Sequence, residues 1–452
     1  MAERAKIFVA GVYAGVLERR DSDYVFAYEP TYPAAAPPLS LLMPATTKDY
    51  KSVGRVHPFF EGLMYEGWLR RLAEGVGTDT EAPAGVIDYL VKKCSHSIGD
   101  VEIAAEDALR PAEMRPTTVT RTGFAARLRR RDRCLLCLQR LPSKGHNRSY
   151  HEACSLSFFG TEEPPLFPFG PQDFERLAID SISSGIAIPG VQPKLPVYYP
   201  EADFHFILKP QVQGVQAVPE IEQLWMKLFT LLGVQTAASG LVEIESGELA
   251  YLTRRFDRVR GGEKLHFEDF AQLHQKSSLG NEKFEGRVSD IAKTIKTYAS
   301  PRTRARDLER LIELTVLNLV FGNSDAHLKN HAIIGTSGDG RTPFYTLSPA
   351  YDILPNQFLG KPSANASALF INHKKRNILV VDLKQEAEDS GVKAQRVDEV
   401  LGRVAKRGAD IVALMRQSVV PQGKVDQLKM LIDKRLRSLG APPLPEEDSA
   451  IG

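Results

Sequence analysis

The residues with the most explicit chemical content lie in two segments, NSDAHLKNH (323–331) and LSPAYDILP (347–355). Phosphoryl transfer needs oxygen ligands for a divalent cation, a base for the acceptor hydroxyl, and donors and cations for the phosphates. Asp325, on a loop, is suited to accept the proton of a substrate hydroxyl. Five residues on, Asn330 offers an amide oxygen to Mg²⁺; an Asp, a short spacer and an Asn is the device of kinase catalytic loops. His327 and Lys329 lie between them, within reach of phosphate oxygens. Asp352 sits between Tyr351 and Ile353, where a carboxylate is costly unless it is paired or metal-bound. Its expected role is the second Mg²⁺ ligand, with Tyr351 beside the nucleotide.

The phosphates need a cation from elsewhere in the chain. Lys209 ends the apolar run HFILKP (205–210), and Glu222, on the next predicted helix, is placed to hold it. IPGVQPKL (188–195) is a short Gly/Pro loop with Lys194 as a further charge; it is neither a Walker loop nor a GxGxxG. Singly, each motif has a plainer reading: a polar turn for 323–331, a helix cap for Asp352, a surface strand residue for Lys209. Together they follow kinase order: lysine strand, glutamate helix, catalytic loop, metal aspartate.

A second constellation is Cys134-x2-Cys137 followed by His151-x2-Cys154. Two-residue spacing lets both side chains of a pair reach one ion, so Cys3His predicts a closed, structural Zn²⁺ site. His146 is the competing nitrogen ligand, and three unrelated thiols are the plain alternative. The preceding ARLRRRDR (126–133) carries five arginines. It reads as a solvated face, or as a contact for nucleic acid that lacks an aromatic platform.

These residues need elements to place them. Residues 6–30 predict a β-hairpin and a further strand, and 57–74 a helix with Phe60, Leu63, Trp68 and Leu72 near helical spacing and Gly75 as its stop. A strand over 205–210, a helix over 219–233 and a hairpin over 240–258 turning at Ser246-Gly247 follow. DLERLIELTVLNLVFG (307–322) is apolar on most faces and predicts a buried helix that runs straight into NSDAHLKN. A helical run covers about 397–438, and the tail after Pro442 looks disordered. The layout is β-rich, then α-rich, as in a two-lobed kinase. The expected fold class is α+β: a small α+β N-terminal domain (1–110), a linker with the zinc knuckle (111–165), an N-lobe (166–275), a helical C-lobe (276–441) and a tail (442–452).

With 452 residues, the chain suits two or three domains. Its 58 Lys+Arg against 56 Asp+Glu give no electrostatic case for coating DNA or a membrane. The first 20 residues lack a signal-peptide layout, and no stretch approaches the roughly 18 apolar residues that span a bilayer. A cytoplasmic protein without a membrane partner is expected.

GVQPKL, FILKP, RRFDR, HFEDFAQL, NSDAHLKNH and SPAYDILP, in this order over residues 180–435, resemble the HipA family of bacterial toxin kinases, including its HipT branch. PLSLLMP, HPFFEGLMYEGW and GDVEIA resemble the family's small N-terminal domain, which in some systems is a separate HipS protein. The resemblance implies a serine/threonine kinase using ATP and Mg²⁺. It makes Asp325 the catalytic base, Asn330 and Asp352 the Mg²⁺ ligands, and Lys209 the ATP-phosphate lysine. Pro189, Gly190, Val191, Gln192 and Lys194 match the phosphate-covering loop, and Glu268, Asp269 and Phe270 the hinge at adenine. It further implies an aminoacyl-tRNA synthetase as the protein substrate and a helix-turn-helix antitoxin as partner, with DNA reached only through that antitoxin. The family often carries an autophosphorylated serine where this chain has Ala187, so Ser181, Ser183 or Ser184 is the expected site. Two rivals use the same fold: a small-molecule kinase, and a non-catalytic scaffold binding an antitoxin and DNA. Intact Asp325, Asn330 and Asp352 speak against the scaffold.

Overall fold

The computed structural model describes residues 3–46, 49–74, 85–96, 98–109, 116–121, 131–142, 149–190, 192–278, 280–336, 344–358 and 364–446. Its N-terminal sheet contains β1 (Arg4–Val9), β2 (Val12–Arg20), β3 (Asp23–Tyr28) and β4 (Asp49–Ser52), closed on the other side by β5 (Val101–Ala105), in the order β4-β3-β2-β1-β5. Ala10 and Gly11 both have positive φ (50° and 77°), the geometry of the tight hairpin expected there. The single helix expected over 57–74 is instead two, α1 (Pro58–Glu61) and α2 (Gly67–Glu74). The reason is tertiary. The chain leaves the helix at Gly62 to lie against the C-terminal part, where a Cβ on Gly62 would meet the Gln272 side chain at 2.7 Å. The side chain of Trp68 and all of Gly75 lie outside the described residues. Helix α3 (Val86–Lys93) completes this layer.

The second sheet is built around the predicted lysine strand. It holds β6 (Thr117–Thr118), then, after α4 (Glu152–Phe159) and α5 (Phe174–Ser183), β7 (Leu195–Tyr199) and β8 (Phe204–Lys209). Helix α6 (Val218–Leu231) follows, then β9 (Ser239–Glu243) and β10 (Leu249–Arg254), giving the order β6-β7-β8-β10-β9. The turn falls at Ser246-Gly247, with Gly247 at φ 82°. Residues 116–121, expected to be linker, instead supply the edge strand β6, parallel to β7.

The chain then forms β11 (His266–Asp269), α7 (Phe270–Leu273), α8 (Val288–Tyr298) and α9 (Arg304–Val320). Helix α9 is buried from Leu311 to Val320, as its all-round apolar sequence requires. Strands β12 (Ala332–Thr336) and β13 (Phe344–Leu347) complete a three-stranded sheet with β11. Helix α10 (Val380–Asp389) precedes the expected helical run, which resolves into α11 (Gln395–Lys406), α12 (Gly408–Gln417) and α13 (Gln422–Ser438). Beyond it, Leu444 is buried and its N–H donates to Asp433 Oδ1 at 2.8 Å, so residues 442–446 are docked rather than loose. Residues 447–452 lie outside the described part. Among the described residues, no helix is long and apolar enough to cross a membrane.

Candidate functional site

One cavity of about 330 Å³ opens between the second sheet, the loop after α9 and residues 62–66 of the N-terminal domain. Asp325, Asn330 and Asp352 all line it. So do Pro189, Gly190, Gln192, Lys194, Lys209 and Glu222. Its size and its converging polar groups are those of a small-molecule site.

Lys209 ends β8, and its ammonium lies 2.6 Å from Glu222 Oε1 on α6 and 2.5 Å from Asp352 Oδ1. Burial pushes the Glu222 pKa up to about 7, and Lys209 only partly offsets it. Burial also opposes the Lys209 charge, but the Asp352 and Glu222 carboxylates outweigh it and raise its pKa. For Asp352, burial is again overcome, by Lys209 and then Lys194, which hold the carboxyl well below its usual range. Asp352 also has φ 58°, the left-handed region, where a non-glycine residue is strained and the surrounding structure must hold it. Lys194 donates to Pro189 O at 3.1 Å, and burial draws its pKa down to about 8. Gly190 has φ 137°, and a Cβ there would meet Lys194 Nζ at 2.4 Å; the glycine makes room for the lysine.

The loop after α9 is braced from within. Asn323 donates to Asn318 Oδ1 at 3.0 Å, the Asp325 N–H donates to Asn323 Oδ1 at 3.3 Å, and Asn330 Nδ2 donates to Asp325 O at 2.9 Å. This uses the amide nitrogen of Asn330 on the loop, and its amide oxygen is of the type that could hold a cation. Tyr351 donates to Lys329 O at 2.7 Å, tying the two loops together. Its ring forms an aromatic wall with Phe256 and Phe267, at centroid distances of 5.7 and 6.4 Å. His327 lines the cavity, where burial and then Lys283 draw its pKa down to about 3, which favours the neutral imidazole, a hydrogen-bond donor without charge. Lys329 is held 3.3 Å from Glu66 Oε1 and 3.5 Å from Asp269 Oδ2.

Two expected hinge residues point elsewhere. Strand alternation puts Phe267 and Asp269 on the cavity wall, while Glu268 faces the N-terminal domain. Its Oε2 accepts from Leu41 N at 2.9 Å, and Ser40 donates to its other oxygen. Phe270 starts α7 and is fully buried in the core. Ser181 is also unsuited to its expected role: it is buried and donates to Leu177 O at 2.8 Å, whereas Ser183 is exposed and Ser184 half-buried. Val191 lies outside the described residues. Sequence reasoning missed Glu66, Lys283, Phe256 and Phe267 at the cavity. Phe256, Phe267 and Glu66 lay inside the quoted RRFDR, HFEDFAQL and HPFFEGLMYEGW without being singled out, and Lys283 carried no local signal.

The ligand atoms of Cys134, Cys137, His151 and Cys154 lie within 4.8 Å of one another. His151 Nδ1 is 3.3 Å from Cys137 Sγ and 3.8 Å from Cys154 Sγ, and its Nε2 is 3.1 Å from Arg140 O. One ring nitrogen thus faces the thiols while a backbone carbonyl orients the other, the usual support of a metal-binding imidazole. The set fits a tetrahedral ion. The knuckle is docked, not a free linker: Leu241 N donates to Leu135 O at 3.0 Å, and Gln223, beside Glu222, donates to Leu136 O at 2.9 Å. Of the arginine run, Arg131 pairs with Glu243 Oε2 at 2.8 Å, while residues 126–130 and His146 lie outside the described part.

Residues 186–412 match the family model for the HipA-like C-terminal domain, and residues 5–104 match that for the HipA N-terminal domain. A Sinorhizobium fredii protein named "Putative kinase Y4mE" is 28% identical over 189 residues, 37% of this chain and 42% of that protein, so the match spans under half of this curated relative. Among solved structures, HipA from Shewanella oneidensis MR-1, in complex with HipB and its operator DNA, superposes with a TM-score of 0.64 at 18% identity over 99% of both chains. That likeness gives the fold.

Proposed function

Since the chain belongs to the HipA family, we propose that it is an ATP- and Mg²⁺-dependent serine/threonine protein kinase and the toxin of a toxin–antitoxin pair. The observation that carries this is the meeting of Asp325, Asn330 and Asp352 in one cavity that also holds Lys209 braced by Glu222.

Asp325 accepts the proton of the acceptor hydroxyl. Asn330 and Asp352 hold the cation, which when bound supplies neutralising charge to the phosphates. Lys209 exchanges its contact with Asp352 for phosphate oxygens while Glu222 keeps it in place. Lys194 and the Gly190 loop cover the phosphates, and Phe256, Phe267 and Tyr351 flank the base. Cys134, Cys137, His151 and Cys154 hold a structural Zn²⁺ that fixes the knuckle against β9 and α6. The proposed substrate is a translation component such as an aminoacyl-tRNA synthetase. The proposed partner is a helix-turn-helix antitoxin, by analogy with the HipB and operator complex of the Shewanella protein.

The test compares wild type with Asp325→Gln on expression in bacteria, scoring growth and phosphoproteome. Growth arrest and new phosphoserine or phosphothreonine should appear only with Asp325 present, because losing acid–base assistance costs roughly 10²–10⁴ in rate. Equal effects of both chains would favour a non-catalytic scaffold. Phosphorylation of a metabolite alone would favour a small-molecule kinase.

A further inference from the structure

The N-terminal domain contributes a carboxylate to the catalytic-loop side of the cavity. Glu66 lies between α1 and α2, is 5% exposed and lines the cavity beside Asp325 and Asn330. Its Oε2 accepts from Lys283 at 2.7 Å, and its Oε1 lies 3.3 Å from Lys329 Nζ. Lys329 directly precedes Asn330, and Lys283 also lines the cavity. One carboxylate from the first 110 residues thus fixes two ammonium groups more than 200 residues away in the chain.

The segment carrying Glu66 is firmly seated. Gln272 donates to Phe59 O at 2.9 Å, Ser278 N donates to Glu61 Oε1 at 2.8 Å, and Ser278 Oγ donates to Glu61 O at 2.9 Å. Gly62 O accepts from Lys329 at 3.4 Å. Within this seating, Glu66 Oε1 is buried and, among the described residues, is met by the ammonium of Lys329. Two ammonium groups gathered on one buried carboxylate inside a cavity call for an explanation beyond packing.

We propose that Glu66 is a positioning residue of the phosphoryl-transfer site, holding Lys283 and Lys329 where their ammonium groups meet the terminal phosphoryl group, with Lys283 touching it directly. This rests on the kinase reading above and makes the N-terminal domain part of the active centre rather than a detachable regulator. Lys209 and Lys194 remain the contacts for the inner phosphates.

Two effects of Glu66→Gln separate positioning from a structural role. The variant removes a negative charge next to the phosphates, so nucleotide affinity should hold or rise. It also frees two lysines from their anchor, so turnover should fall. Full-length wild type, Glu66→Gln, Glu66→Asp and Lys283→Met are compared for Mg-ATP and Mg-ADP binding by calorimetry and for ATP turnover. In Glu66→Gln, turnover should drop about tenfold or more, as for a small misplacement of a reacting group. Its Kd for Mg-ATP should stay within about threefold or tighten, since the lost charge is repulsive to phosphate. Glu66→Asp should recover part of the turnover. Lys283→Met should weaken Mg-ATP by about tenfold, the worth of one charge-assisted hydrogen bond, and leave Mg-ADP unchanged. Glu66→Gln with wild-type or higher turnover overturns the proposal, and so does parallel loss of ATP and ADP affinity, which marks mere loosening of the domain. If turnover of the isolated chain is below detection, the ATP-over-ADP preference of Lys283→Met decides. A wild type that binds no Mg-ATP overturns the kinase reading and this proposal together; a wild type that binds ATP with variants indistinguishable from it overturns this proposal alone.

Discussion

Replacing Lys209 by methionine keeps the apolar stem at the end of β8 but removes the charge shared by Glu222 and Asp352. The two carboxylates respond differently. The Asp352 side chain is 35% exposed to the cavity, so water can take over part of its solvation. The Glu222 side chain is 0% exposed and must be neutral to remain buried. Removing one partner of a buried pair costs roughly 3–5 kcal/mol, and the hydration of Asp352 points to the lower end, about 3 kcal/mol at pH 7. The pH dependence carries the sharper information. Glu222 has a folded pKa raised from 4.5 to about 7, so folding favours its protonated form. Its stabilising contribution is complete below the unfolded pKa and is lost as pH rises through the folded one. In the wild type that loss ends near pH 7. Without Lys209 the folded pKa moves higher and the loss continues, at about 1.4 kcal/mol per pH unit, adding up to about 2.7 kcal/mol by pH 9. Chemical denaturation of both chains at pH 6, 7 and 9 measures this, with calorimetric Mg-ATP binding alongside. The variant should also lose ATP affinity by about tenfold or more, as expected for a lost charged contact. A stability difference under about 1 kcal/mol that stays flat from pH 6 to 9 would show that Lys209 does not hold Glu222, and the assignment of a braced phosphate lysine would fail.

Two further outcomes follow from the geometry. Protein purified without chelator should carry about one zinc per chain, and chelation or Cys154→Ser should lower the melting temperature by about 5 °C or more, the equivalent of roughly 2 kcal/mol in a large domain; well under one zinc, or an unchanged melting temperature, contradicts the Cys3His site. After incubation with Mg-ATP, phosphopeptide mapping should find any self-phosphorylation on Ser183 or Ser184 and none on Ser181, whose hydroxyl is buried and bonded to Leu177 O; phosphate on Ser181 would mean that the end of α5 unfolds to react.

Local chemistry made much of this chain legible. The gathering of Cys134, Cys137, His151 and Cys154 was legible from spacing alone, because a two-residue gap lets both side chains of a pair face one point. The lysine strand, the buried α9 and the loop it feeds were visible because burial on one or all faces leaves a periodic trace in sequence. Boundaries were less legible where long-range packing overrode local preference. The stretch 57–74 has helical spacing, yet docking against Gln272 breaks it at Gly62. Residues 116–121 look like polar linker, yet β7 offers them a free edge to pair with.

By itself, the sequence determined the family, the Cys3His set that the fold gathers and the order of the residues that line the cavity. These depend on residue type and short spacing, which the chain carries locally. The tertiary structure alone decided that Glu268 and Phe270 turn from the cavity, that burial favours the neutral imidazole of His327, and that Glu66 reaches Lys283 and Lys329 from another domain. Each depends on which groups are buried together across hundreds of residues. Burial and neighbouring charge set a side chain's protonation state and partners, and neither is written in the residues beside it.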